Sequence, residues 1–284
     1  MIKITLAGFS DEAGNSVEEQ ITALKSNGIN YTELRSIDKI NVADFTESQS
    51  KEYFKKFSDN GVKVWSLGSP LGKVDISITK EQLLDKAKKL FDTAKIFGAD
   101  RIRMFSFFNA YEQREKVIDY LSLLVEKATE YGVTLCHENE KEVYGDTKAR
   151  VLDLMNSVKG LKFVYDPANY LQVGEKAMDT LNTFHSVSEY FHIKDVISAT
   201  DELVPAGHGD GMIGKLIEMI DRDVTLTLEP HLAVFDSFKS IDNTEMKHKF
   251  HFDDNMKAFS FAVTSLTDLL KKAGYEQKDG AFIK

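Results

Sequence analysis

The chain has one cysteine, one tryptophan and four prolines in 284 residues, and it carries fewer basic than acidic side chains. Each scarcity excludes something. A single cysteine, Cys136, allows no intrachain disulfide, and beside Leu135 in a strand pattern it reads as a buried, inert thiol. Few prolines and no Gly/Ser-rich or Pro-rich stretch leave no interdomain linker, so residues 1–284 are expected to form one domain. A formal net charge of −9 argues against a nucleic-acid binder, which needs clustered lysines and arginines for phosphate. It leaves room for a local basic pocket. No apolar run approaches the roughly 18 residues of a membrane span. The opening MIKITLAGFSDEAG reads as a first strand and not as a signal peptide. A soluble cytoplasmic protein is the expectation, free of nucleic acid and membrane, with a homo-oligomer open because exposed barrel helices often pair.

What the chain has is alternation. Eight segments rich in β-branched and aromatic residues read as strands: 3–8, 30–34, 62–67, 100–105, 133–138, 161–166, 190–194 and 224–229. Amphipathic stretches lie between them. Val17, Ile21 and Leu24 share one face over 16–26, and Leu83, Ala87, Leu90 and Ala94 share one over 80–97. Residues 115–131 and 214–220 behave alike. Gly28, Gly61, Gly98, Gly132 and Gly160 each stand shortly before a strand. Eight βα units in this length favour a closed (β/α)8 TIM barrel over an open doubly wound sheet. The first turn, GFSDEAG, is also no dinucleotide fingerprint. The polar segment 235–258 reads as a loop excursion, either a lid or a plain surface loop, before a closing helix at about 257–273.

Four strand patterns end in a metal-type ligand: Glu138, Asp166, His192 and Glu229. Singly, each has a bland reading as helix cap, loop carboxylate or core histidine. Jointly, at the tips of strands five to eight, they converge on one mouth of a barrel, where such folds build their sites. Three carboxylates and an imidazole, without thiolate, suit a hard divalent ion with open positions. Mn2+ is the first choice, with Mg2+, Co2+ or Zn2+ as alternatives. Lys194 follows His192 by two and shares its face, so it could bind a substrate oxygen with Asp195 orienting it. Arg103 could take a hydroxyl, carboxylate or phosphate. Glu33 and Arg35 read as an ion pair or as substrate contacts. His208, in GHGDG, could reach a ligand, and Asp210 could cap the next helix. His137 is expected to face the helices, His231 the site mouth, and Lys73 an anionic group or a loop carbonyl.

The motifs TELRSID (32–38), SLGSPLGK (66–73), RIRMFSF (101–107), HENE (137–140), YDPANY (165–170), HIKD (192–195), PAGHGDG (205–211) and LEPHL (228–232) resemble the xylose-isomerase-like superfamily, in its sugar (phosphate) isomerase/epimerase branch. The resemblance runs from the first strand to the eighth. It implies metal binding by Glu138, Asp166, His192 and Glu229, and a carbohydrate substrate. Many relatives carry Asp-x-x-His on the sixth strand, with the histidine on substrate; here Asn169 holds that place and cannot titrate near neutral pH. A DNA-repair branch uses three metals and more histidines, which this chain lacks. The expected reaction is proton abstraction beside a carbonyl through a metal-stabilised enediolate, with Glu138 and Glu229 as the catalytic pair. Arg103, Asn169, Lys194 and His208 are the substrate-binding candidates. The alternatives are a lyase or dehydratase on a keto-sugar, cyclitol or oxidised glycoside, and a non-catalytic sugar-binding or partner subunit.

Overall fold

The computed structural model describes residues 1–233, 247–248, 250–278 and 280–284. Eight parallel strands form its centre: β1 (Lys3–Gly8), β2 (Tyr31–Leu34), β3 (Lys63–Gly68), β4 (Arg101–Met104), β5 (Thr134–Glu138), β6 (Lys162–Tyr165), β7 (Tyr190–Ile193) and β8 (Val224–Leu228). Each pairs with the next in chain order, and β8 returns to β1 with Ile4 opposite Val224 and Gly8 opposite Leu228. The sheet is therefore closed, as the eight-unit count predicts.

Local chemistry starts and stops the helices. Ser16, Thr46 and Thr79 each accept from the backbone three residues on, while Glu19, Gln49 and Gln82 reach back in reciprocal capping boxes. Gly98 and Gly132 end their helices at φ of 67° and 70°, the left-handed region that glycine enters at least cost. Strand side chains alternate between two destinations. Leu6, Leu226 and Leu228 pack with Phe259 and Leu266 of the closing helix Asn255–Lys272. Cys136, Val164 and Tyr190 form a separate small cluster on β5, β6 and β7. The thiol is fully buried, and burial raises its pKa well above the ordinary value.

Several elements escape a reading by periodicity. Helices Glu47–Asp59, Lys148–Ser157, Pro167–Gln172 and Ala177–Phe184 complete the βα units. A hairpin, Glu276–Lys278 with Ala281–Ile283, lies antiparallel on β1 at Lys3–Thr5. It gives that stretch a partner where β2, which begins pairing only at Ala7, does not reach. A second hairpin, Asp195–Ile197 with Glu202–Val204, follows β7. The excursion at 235–258 falls largely outside the described residues. Within it, Lys247–His248 pairs parallel with Glu202–Leu203. No described helix is long and apolar enough to cross a membrane.

Candidate metal centre

β5 and β7, together with the residues that follow β6 and β8, bring Glu138, Asp166, His192 and Glu229 to one place. One ligand atom from each lies within 4.8 Å of the others, and all four residues are buried. Every one has its own support. Glu138 accepts at Oε2 from Arg103 Nη1 at 3.1 Å and at Oε1 from Asn169 Nδ2 at 3.2 Å. Asp166 has its backbone gripped on both sides by Asn139, at 2.9 Å each way, and its Oδ1 caps the Asn169 amide. His192 Nδ1 meets Glu138 Oε1 at 3.0 Å, and its Nε2 meets Glu33 Oε2 at 3.1 Å. Glu229 Oε1 accepts from Arg35 Nη1 at 3.1 Å, and Asp11 holds that guanidinium through two oxygens.

Two oxygens facing the centre lack a hydrogen-bond donor: Asp166 Oδ2 and Glu229 Oε2. Lys194 Nζ stands 2.9 Å from the first and 3.7 Å from the second, and His192 Nδ1 stands 3.2 Å from the second, all close enough for ion pairing but outside hydrogen-bond geometry. An unsatisfied buried acceptor costs about 1–3 kcal/mol. A divalent cation bound by carboxylate oxygens and one imidazole nitrogen would satisfy both, so the donor set fits a hard ion. A family model described as xylose isomerase-like TIM barrel matches residues 21–232.

The chain belongs to that family. Solved structures agree on the fold. The IolI protein with a bound zinc atom superposes with a TM-score of 0.72 at 15% identity, over 95% of this chain and 99% of that one. D-allulose 3-epimerase from Methylomonas sp. gives 0.69 at 14%, over 96% and 99%. A xylose isomerase-like barrel from Mycobacterium smegmatis in complex with magnesium gives 0.65 at 13%, over 95% and 98%. No curated protein sequence matches significantly.

Electrostatics at the centre follow from burial opposed by neighbours. Burial raises Asp166 to about 7, with Glu138 and Glu229 adding repulsion against the attraction of Lys194. For Glu138, burial is outweighed by His192 and Arg103, and its pKa falls to about 2. Glu229 is likewise lowered, by Lys194 and His192 against burial. His192 is raised well above 6.5 because Glu138, Glu33 and Glu229 outweigh its burial. Burial lifts Glu12 to about 8, despite Arg35 beside it.

The remaining candidates take varied places. Arg103 and Asn169 touch Glu138, and Lys194 reaches Asp166. His208 is exposed, edge-on to Phe250 at 5.5 Å, on a loop set beyond this cluster of contacts. Asp195 does not orient Lys194: it accepts from the amides of Val196, Gly207, Gly209 and Gly211, because a buried carboxylate takes the donors the curled loop offers. Asp210 caps no helix but accepts from the Ser198 amide. Lys73 meets a protein carboxylate, Glu140, at 2.8 Å. Glu33 and Arg35 go to different partners. His137 turns from the cluster to Ser106 at 2.9 Å, and burial lowers it to about 4. His231 sits beside Glu12 and Glu229, with its amide on Glu12 Oε2 at 2.7 Å. Sequence reading passes over Asp11, Glu12 and Asn139. The signal for the first two is a weaker form of the strand-end rule, since they lie in the short turn Ser10–Glu12 that follows β1 after Phe9.

Proposed function

We propose that this chain is a divalent-metal-dependent isomerase or epimerase of a carbohydrate ketose or aldose. One observation carries the reading: Glu138 and Glu229 are disposed alike about a single point. Each gives one oxygen to an arginine and turns the other toward His192 Nδ1, at 3.0 Å for Glu138 and 3.2 Å for Glu229. They stand on strands three apart in the eight-strand ring. Inverting a carbon calls for one group to remove the proton and another to return one on the opposite face, whereas passing a proton between adjacent carbons can use a single base. Glu138, Asp166, His192 and Glu229 would hold the ion, with Mn2+ preferred and Mg2+, Co2+ or Zn2+ as alternatives. A bound divalent ion polarises a carbonyl and eases loss of the proton on the adjacent carbon.

The protein supplies the rest. Arg35, Arg103, Lys73, Asn41 and Ser69 line a narrow pocket beside the cluster. At about 10 Å³ it admits about one water-sized group, so a single substrate hydroxyl entering it would compete for the arginine donors. As Arg103 turns to substrate, Glu138 loses a cation that lowers its pKa and becomes a better base. Glu138 takes the proton beside the carbonyl, leaving an enediolate. Glu229, once it has taken up a proton from a substrate hydroxyl or from solvent, would return it to the opposite face, which inverts the centre, or to the neighbouring carbon, which isomerises the sugar. Lys194 holds a substrate oxygen.

Asn169 favours a second reading. It donates to Glu138 but cannot carry a proton, so no additional acid–base group stands there. A lyase or dehydratase needs one base at the same carbon and departs only in expelling a leaving group. Incubation of a ketose panel in D2O with Mn2+ decides. Solvent deuterium beside the carbonyl is expected; release of water or an aglycone selects the lyase. Metal-loaded protein that does neither with any ketose removes the sugar-enzyme reading.

A further inference from the structure

Glu33 is fully buried, and neither partner expected from the sequence explains it. Its Oε1 accepts from Tyr190 Oη at 2.8 Å, and its Oε2 stands 3.1 Å from His192 Nε2. The tyrosine is two residues from the histidine on the same strand, and Glu33 comes from β2. Two rings pin the imidazole edge-on: Phe9 at 5.2 Å and Tyr190 at 5.5 Å. The ring therefore has one carboxylate on its Nε2 side and the candidate metal ligands on its Nδ1 side.

A neutral imidazole carries one N–H and one lone pair. Carboxylates face both ring nitrogens, Glu33 at Nε2 and Glu138 and Glu229 at Nδ1. A cation held among the Nδ1-side carboxylates would displace the hydrogen there, whereas Glu33, a pure acceptor away from that cluster, keeps the one on Nε2. We propose that Glu33, itself fixed by Tyr190, is the positioning residue that holds His192 as the Nε2–H tautomer and presents the Nδ1 lone pair to the metal. This rests on the metal-centre reading above but not on the reaction assigned to it. Tyr190 occupies the second oxygen of Glu33, which stops the carboxylate from rotating away. A partner of this kind typically changes metal affinity 10–100-fold when replaced.

The test uses the full chain, stripped of metal and titrated calorimetrically with Zn2+ and Mn2+. Glu33→Gln is expected to weaken both ions about 10–100-fold, and Tyr190→Phe to weaken them less. A purely structural Glu33 predicts a lower melting temperature of the metal-free variant with unchanged metal affinity, and that result overturns the proposal. Nitrogen-15 NMR of the histidines in Zn2+-loaded wild type provides a readout that needs no variant. A protonated Nε2 with a metal-bound Nδ1 on His192 supports the assignment; the reverse pattern overturns it. Metal binding without sugar turnover would sink the proposed reaction and leave this inference standing. Unchanged affinity in Glu33→Gln, with turnover in the wild type, would do the opposite. Wild type that binds neither ion would end both.

Discussion

A base is only as useful as the lone pair it can offer. Glu138 and Glu229 each have one oxygen tied to an arginine, and both are held below the usual carboxylate range. Both favour the charged form before substrate binds, so in the proposed cycle Glu138 is ready to accept a proton while Glu229 must take one up before it can donate. Glu138→Gln and Glu229→Gln keep the shape and remove the base, so each is expected to lower kcat by about 10²–10⁴-fold with an unchanged far-UV circular dichroism spectrum. Near-normal turnover in either would remove it from the mechanism. Asn169 tests the same carboxylate from its other side. Asn169→Ala deletes a donor to Glu138 and another to the Asn139 carbonyl, and leaving a buried acceptor unpaired costs about 1–3 kcal/mol. A lower melting temperature and weaker Mn2+ binding are expected together; unchanged metal affinity would confine Asn169 to packing. The convergence of the four strand-end residues was legible because each follows an apolar run such as VTLTL before Glu229. Their supports were not. Arg35 finds Glu229 across 194 residues and Glu33 finds His192 across 159, and only the closed ring brings them together.

At the scale of elements, the loop after β7 is organised by one side chain. Asp195 accepts four backbone amides between Val196 and Gly211, and a Cβ on Gly209 would come within 2.4 Å of its Oδ1. The GHGDG run is thus a wrapping for a carboxylate, with glycine needed where the chain passes closest. Asp195→Ala leaves those amides without their acceptor. Faster proteolytic cleavage within 205–211 is expected, with a raised KM if this loop borders the substrate; a cleavage rate equal to wild type would mean that the loop is held by something else. The strands and the long helices were readable for the same reason that this loop was not. Residues 80–97 bury Leu83, Ala87, Leu90 and Ala94 at helical spacing, so periodicity reports them. Helix Glu47–Asp59 buries only Ser50, Tyr53 and Phe57 among polar neighbours, and its pattern is too faint. The loop around Asp195 has no period at all.

For the whole molecule, the centre is a set of acids and bases that folding buries together. Asp166 is raised from 3.8 to about 7, so the folded state keeps a proton that the unfolded chain has released. That contribution to stability is full below about pH 4 and lost as pH rises through 7. Glu12, raised from 4.5 to about 8, runs in the same direction over pH 4.5–8. His137 and His231, lowered from 6.5 to about 4, run against it between pH 4 and 6.5. Wild-type stability alone therefore mixes opposing slopes, and the informative quantity is a difference. Asp166→Asn removes one titration and leaves the others, so metal-free variant minus metal-free wild type is expected to rise between pH 4 and 7 in denaturant melts. A flat difference would mean that burial does not raise Asp166. The same proton ties stability to metal. A cation held by Asp166 and His192 must displace the protons both carry in its absence, because both are raised. Mn2+ affinity is thus expected to climb at least about tenfold per pH unit below 7, and calorimetry in buffers of different ionisation enthalpy should show proton release. Affinity independent of pH between 6 and 8 would show that these two residues are not the ligands. The protons that Asp166 and His192 hold in the metal-free barrel are then what a bound cation would replace.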